Sequence, residues 1–142
     1  MRQTTAQPRP AKAQKAPLRL NTRQKKPPAR PKAREQKACV DAIAALEGTD
    51  KDVAECLHRV VTEEAPHLDA KTWYGFPSYA QEGKIVVFYQ PASKFDTRYG
   101  TIGFQQDAHL DDGDIWATSF AVVNVTDAVE GQIRELVRKA AR

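Results

Sequence analysis

The feature that most constrains this chain is a break in its charge. Residues 1–37 hold 12 Lys/Arg against a single acid, Glu35, a net of +11, together with six of the nine prolines. Residues 38–142 hold 10 Lys/Arg against 17 Asp/Glu, a net of −7, so the overall +4 describes neither part. The first part has no aromatic residue, and its apolar residues are mostly alanine. It cannot bury enough apolar surface to offset a chain entropy of roughly 1–2 kcal/mol per residue. This predicts a disordered basic tail over 1–37 and one folded domain over 38–142. No apolar run approaches the ~20 residues that a membrane-spanning helix needs, and no apolar signal core opens the chain. The expectation is a cytoplasmic protein without a membrane partner. Two cysteines, Cys39 and Cys56, are too few for a disulfide scaffold and carry no zinc-type spacing.

Within 38–142 the apolar pattern changes period. Residues 38–47 are rich in helix formers, with Val40, Ile43, Ala44 and Leu46 as a stripe that Gly48 ends. Thr49 or Asp50 is placed to cap a second helix, in which Val53, Leu57, Val60 and Val61 share a face and after which Pro66 marks the end. From Lys71 the chain turns extended. Trp73, Tyr74, Phe76 and Tyr79 form an aromatic stretch, Glu82-Gly83 is a turn, and Ile85 to Tyr89 form a run with strong strand preference. Two further strands are expected over 98–105, with Ile102 and Phe104 inward, and over 115–125, anchored by Trp116, Phe120 and Val122. A last helix opens at Thr126-Asp127, with Asp127 and Glu130 spaced as a capping box and Val129, Ile133, Leu136, Val137 and Ala140 as its stripe. Strands grouped between helices predict an α+β domain: two N-terminal helices, an antiparallel sheet of three to five short strands, and a C-terminal helix.

One segment carries a resemblance. Ala65-Pro66 is followed by Lys71-Thr72-Trp73-Tyr74-Gly75-Phe76-Pro77-Ser78-Tyr79, then Gly83-Lys84 and the hydrophobic strand, and later Leu110-Asp111-Asp112-Gly113, Trp116 and Phe120. In this order the residues resemble the YdhG-like domain family, small bacterial proteins of unknown function, over about residues 40–141. Phe76 stands where that family more often has Met, and Ala117 where Pro is common. The resemblance implies an α+β fold with a helix-covered sheet. Part of the family is described as frataxin-like, with a proposed role in iron delivery, and the resemblance brings no catalytic residues with it.

Four groups of residues are candidates for function, each with a plainer reading beside it. Asp107, His109, Asp111, Asp112 and Asp114 offer oxygen and imidazole donors suited to iron; the plainer reading is a solvated turn on Asp112-Gly113. An EF-hand does not fit, because the sixth position counted from Asp107 is Asp112 and the twelfth is Thr118. The aromatic stretch can line a small-ligand pocket, with Trp73, Tyr79, Lys84 and Arg98 facing the ligand, or serve as core. In the tail, Arg23, Lys25, Lys26, Arg30, Lys32 and Arg34 can hold nucleic-acid phosphates without sequence preference, or merely solubilise. The thiols and histidines give little support to nucleophile chemistry: Cys56 falls on a buried helix face, Cys39 near the expected boundary, His58 just off the buried face and His67 beside Pro66. No phosphate loop, Gly-x-Ser-x-Gly or His-Glu-x-x-His is present, so the reading leans away from an enzyme. It favours a non-enzymatic domain binding iron or a small ligand, with a nucleic-acid accessory protein as the alternative.

Overall fold

The computed structural model describes residues 30–142. Its elements run α1 (Arg30–Ala44), α2 (Gly48–Glu64), β1 (Asp69–Trp73), β2 (Phe76–Gln81), β3 (Lys84–Gln90), α3 (Ala92–Phe95), β4 (Gly100–Phe104), β5 (Ser119–Val122) and α4 (Asp127–Ala140). The five strands form one antiparallel sheet in the order β1-β2-β3-β4-β5, a meander in which each strand pairs with the next in sequence. The expected α+β arrangement is present, with all five strands formed and the short α3 added. Among the described residues, no helix is long and apolar enough to cross a membrane.

The expected boundary at residue 38 falls inside a helix, because α1 begins at Arg30. Lys, Ala, Arg, Glu and Gln favour helix, and Pro31 falls in the first turn, where its missing N–H is not needed. Two ion pairs tie this helix to the edge strand: Lys32–Asp69 and Glu35–Lys71, each at 3.6 Å. Residues 1–29, and with them the greater part of the predicted disordered tail, lie outside the described residues.

One face of the sheet and the helices α1, α2 and α4 share a buried cluster that includes Cys39, Leu57, Val60, Tyr79, Val87, Tyr89, Ile102, Ile133 and Val137. Ile102 and Phe104 point inward as the period of two requires. A bulge between Tyr79 and Ala80 interrupts the β2–β3 register, and strict alternation lapses beside it, with Val86 and Val87 both buried. Leu57 and Tyr89 are among the largest fully buried side chains.

α2 and α4 are also joined by charge. Arg134 reaches Glu63 and Glu64 at 2.8 Å and Glu130 at 2.9 Å, Arg138 reaches Glu64 at 3.0 Å, and Arg59 reaches Glu130 at 2.6 Å. Arg138 and Arg134 beside Glu64 hold its carboxyl down to about 2. The carboxylate partners of Arg134 and Arg138 thus lie on α2 as well as on their own helix. Glu130 is likewise taken by arginines instead of completing a capping box. The cap of α4 is Thr126, whose Oγ1 accepts from the Val129 N–H at 3.1 Å.

Asp50 does not cap α2. The N-cap position is Glu47, and Asp50, in the first turn, is buried against the sheet. Its Oδ1 accepts from Tyr89 Oη at 2.6 Å and from the Ala92 N–H at 2.8 Å, and its Oδ2 accepts from the Ser93 N–H at 3.0 Å. One carboxylate thereby ties α2, β3 and the start of α3 together. Burial pushes this carboxyl up, but the bonds from Tyr89, Ser93 and Ala92 outweigh it and leave it below its ordinary value.

The last expected strand is shorter than the sequence suggested. β5 covers only Ser119–Val122; Ile115 is 87% exposed and Trp116 39% exposed, so Trp116 is not a core anchor. Phe120 is half-buried and packs edge-on against Phe104 at 6.0 Å, and Val122 is buried.

Candidate functional site

β1 and β2 are joined by only two residues, Tyr74 (φ 52°) and Gly75 (φ 83°), both in the left-handed region. This is the backbone of a type I′ hairpin turn, in which Asn-Gly or Asp-Gly is the comfortable choice. A bulky tyrosine in left-handed backbone costs about 1–2 kcal/mol relative to the ordinary helical region. Its side chain recovers little by burial, being 75% exposed.

The turn brings aromatic rings together. In register, Trp73 pairs with Phe76, Ser78 with Phe88, and Phe88 with Gly103, so Trp73, Phe76 and Phe88 share the sheet face opposite Tyr79 and Tyr89. Trp73 lies 5.3 Å from Phe88 and 5.9 Å from Phe76, at 67° and 86° between ring planes. Phe95 from α3 adds an edge contact to Phe76 at 5.9 Å and 64°. Such edge-to-face pairs are each worth about 0.5–1.5 kcal/mol beyond burial. Gly103 makes room for the cluster: a Cβ there would lie within 2.3 Å of the Phe88 ring.

These rings, with Gln90 and Lys94, surround an open recess of about 630 Å³. The Lys94 ammonium folds across the turn, since a Cβ on Gly75 would meet Lys94 Nζ at 3.0 Å. Among the described residues, Lys94 forms no ion pair. Phe95 is 43% exposed, so two rings of the cluster face solvent beside an unpaired cation.

Of the ligand-facing residues expected from sequence, the structure brings only Trp73 to this recess. Tyr79 is on the other face and 1% exposed. Its Oη is hydrogen-bonded to His58 Nδ1 at 2.9 Å and accepts weakly from the Cys39 thiol at 3.9 Å. The alternation along β2 decides this, because Phe76 and Tyr79 are an odd number of positions apart. Lys84 lies at the β2–β3 turn, the far end of a six-residue strand and about 16 Å away at strand rise. Arg98 stacks over Tyr99, 5.2 Å from its centroid, and lines a separate hollow of about 350 Å³ near Asp50 and Tyr89. The residues that sequence reasoning missed are Phe88, Gln90, Lys94 and Phe95. Phe88 and Gln90 were visible as alternate positions of a strand; the reach of Lys94 over Gly75 left no local signal.

The acidic loop stays spread out. His109, Asp111, Asp112 and Asp114 are exposed and Asp107 is half-buried. Gly113, at φ 73°, makes the turn that the plainer reading expected. Among the described residues, no three His, Cys, Asp or Glu side chains converge as metal ligands. Of the tail cations, Lys32 pairs with Asp69 and Arg34 is exposed on α1. Arg30 opens α1, and Arg23, Lys25 and Lys26 lie outside the described residues.

His58 is half-buried and not free, and burial lowers its pKa. Cys39 and Cys56 are buried free thiols, and burial pushes both up, which suppresses the reactive thiolate. Cys39 belongs to the core and not to a loose boundary.

A second hollow, about 560 Å³, lies between β5 and α4. It is walled mainly by aliphatic side chains such as Val122, Val129 and Leu136, with Glu135 as its one charged residue. It lacks both the exposed rings and the lysine of the β1–β2 recess. No family model matches the chain, and neither a curated protein nor a solved structure shows significant similarity to it.

Proposed function

We propose that this chain is a non-catalytic binding module of the YdhG-like type, acting in the cytoplasm, which holds a small organic ligand in the aromatic recess at the β1–β2 turn. The observation that carries the reading is the exposure of Tyr74 and Phe95 within a five-ring cluster. A ring used only for packing would be covered, and tyrosine is a poor choice for a left-handed turn position. The recess has the size and the character of small-molecule sites, with apolar walls and a few convergent polar groups. The quoted resemblance centres on the same turn, Trp73 to Pro77. Two buried free thiols agree with a reducing compartment.

Trp73 supplies the readout. A Trp116→Phe variant leaves Trp73 as the only tryptophan, and Trp116 is outside the recess. Titration of this variant with a panel of planar aromatic metabolites should quench or shift its fluorescence with a saturable dependence. Adding Tyr74→Ala should weaken the affinity about 2–10-fold, the equivalent of one aromatic contact of about 0.5–1.5 kcal/mol. A flat response across the panel would count against the recess as a binding site.

A further inference from the structure

We propose that the recess selects ligands in which a flat aromatic ring carries an anionic group, carboxylate or phosphate, and that Lys94 is the residue that holds the anion. This rests on the reading of the recess as a ligand site and narrows what can occupy it. Clusters of aromatic rings suit two opposite ligand classes: flat rings that stack against them, and cations that sit over their faces. The charge inside the recess separates the two. Lys94 Nζ lies beside Gly75 at the turn that carries Trp73 and Tyr74. It has no carboxylate partner among the described residues. A second cation placed among these rings would be repelled, whereas an anion gains a charge-assisted bond.

The backbone that carries the lysine is held in place. α3 follows β3 after Pro91 alone, and Asp50 accepts from the N–H groups of Ala92 and Ser93, the two residues before Lys94. α3 ends at Phe95, and the residue that caps it, Asp96, sits at φ 53°. Lys94 and Phe95 are therefore presented together from a short anchored turn, the cation next to an exposed ring. Gln90, which lies on the same sheet face as Phe88, adds an amide that can bond a ring substituent.

The test uses matched pairs that differ in charge, titrated into the full chain by isothermal titration calorimetry, because an indole ligand fluoresces in the same band as Trp73. Indole-3-acetate is compared with indole-3-acetamide, and adenosine 5′-monophosphate with adenosine, so that carboxylate and phosphate sources are distinguished. At least one anionic member should bind ten or more times tighter than its neutral partner. Lys94→Gln should bring that pair within about twofold of each other, and Lys94→Arg should keep most of the preference. Equal binding within both pairs overturns the anion assignment while leaving the recess as a site. A preference that persists in Lys94→Gln places the anion on another cation and overturns the role of Lys94. No binding by any of the four compounds removes the underlying reading together with this one.

Discussion

Replacing Asp50 by alanine should lower the stability of the fold by about 2–4 kcal/mol, since the buried Tyr89 hydroxyl left without its acceptor costs about 1–3 kcal/mol and the two part-buried N–H bonds of Ala92 and Ser93 add about 1 kcal/mol more. The donors are Tyr89 Oη and the backbone N–H groups of Ala92 and Ser93. Tyr89 is fully buried. Asp50→Asn keeps one acceptor oxygen but turns an NH₂ group toward an N–H donor, so it should cost about half as much. Urea unfolding at constant m-value measures both. A loss under about 0.5 kcal/mol for Asp50→Ala would show that the three bonds are replaced by water. The effect also has a sign in pH. The folded carboxyl titrates below its ordinary value near 3.8. Its contribution is therefore present above that value and is lost as the pH falls through the folded pKa. The acid-unfolding curve of Asp50→Asn should lack this part.

Gly100→Ala should be comparably damaging for a different reason. A Cβ at this position would lie within 2.0 Å of Tyr89 Oη and 2.6 Å of Cζ. Either the β4 backbone or the tyrosine ring must move, and the ring cannot move without leaving Asp50. Overpacking of this kind costs about 1–3 kcal/mol, and the broken bond adds about 1 kcal/mol more. The mechanism is checked by a double-mutant cycle. Tyr89→Ala alone should cost about 3–5 kcal/mol. In that background, Gly100→Ala should cost under about 1 kcal/mol, because the obstructing ring is gone. Additive losses would show that Gly100 is needed for its backbone and not for the space beneath Tyr89.

What was legible in the sequence is what repeats with a fixed period. The apolar stripes of α2 and α4 and the inward pair Ile102 and Phe104 could be assigned because helix and strand periods determine which positions share a face. The start of α1 was hidden by composition: a proline-rich basic run reads as disordered, yet its last proline falls where a helix tolerates one. Exposed Trp116 was taken for an anchor because an aromatic in an extended run looks like core.

The site was half legible. The aromatic stretch could be seen, but which of its rings share a face depends on a two-residue turn and on counting from it. Tyr79 was therefore placed with Trp73 when it belongs to the opposite side. Lys94 was invisible because it acts across a tertiary contact, from α3 onto Gly75, and nothing near it in sequence marks it. Asp50 likewise looked like a helix cap, since its partners on β3 and α3 are some 40 residues away.

The central claim, that the β1–β2 recess is where this chain takes its ligand, is tested most directly by mapping amide and indole chemical shifts of the full chain during titration with indole-3-acetate. The largest changes should fall on the Trp73 indole and on Tyr74, Gly75, Gln90, Lys94 and Phe95, and should saturate together. Changes centred on Val123, Gln132 and Leu136 in the β5–α4 hollow, or on the basic segment 1–29, would contradict the account, as would a spectrum that does not move.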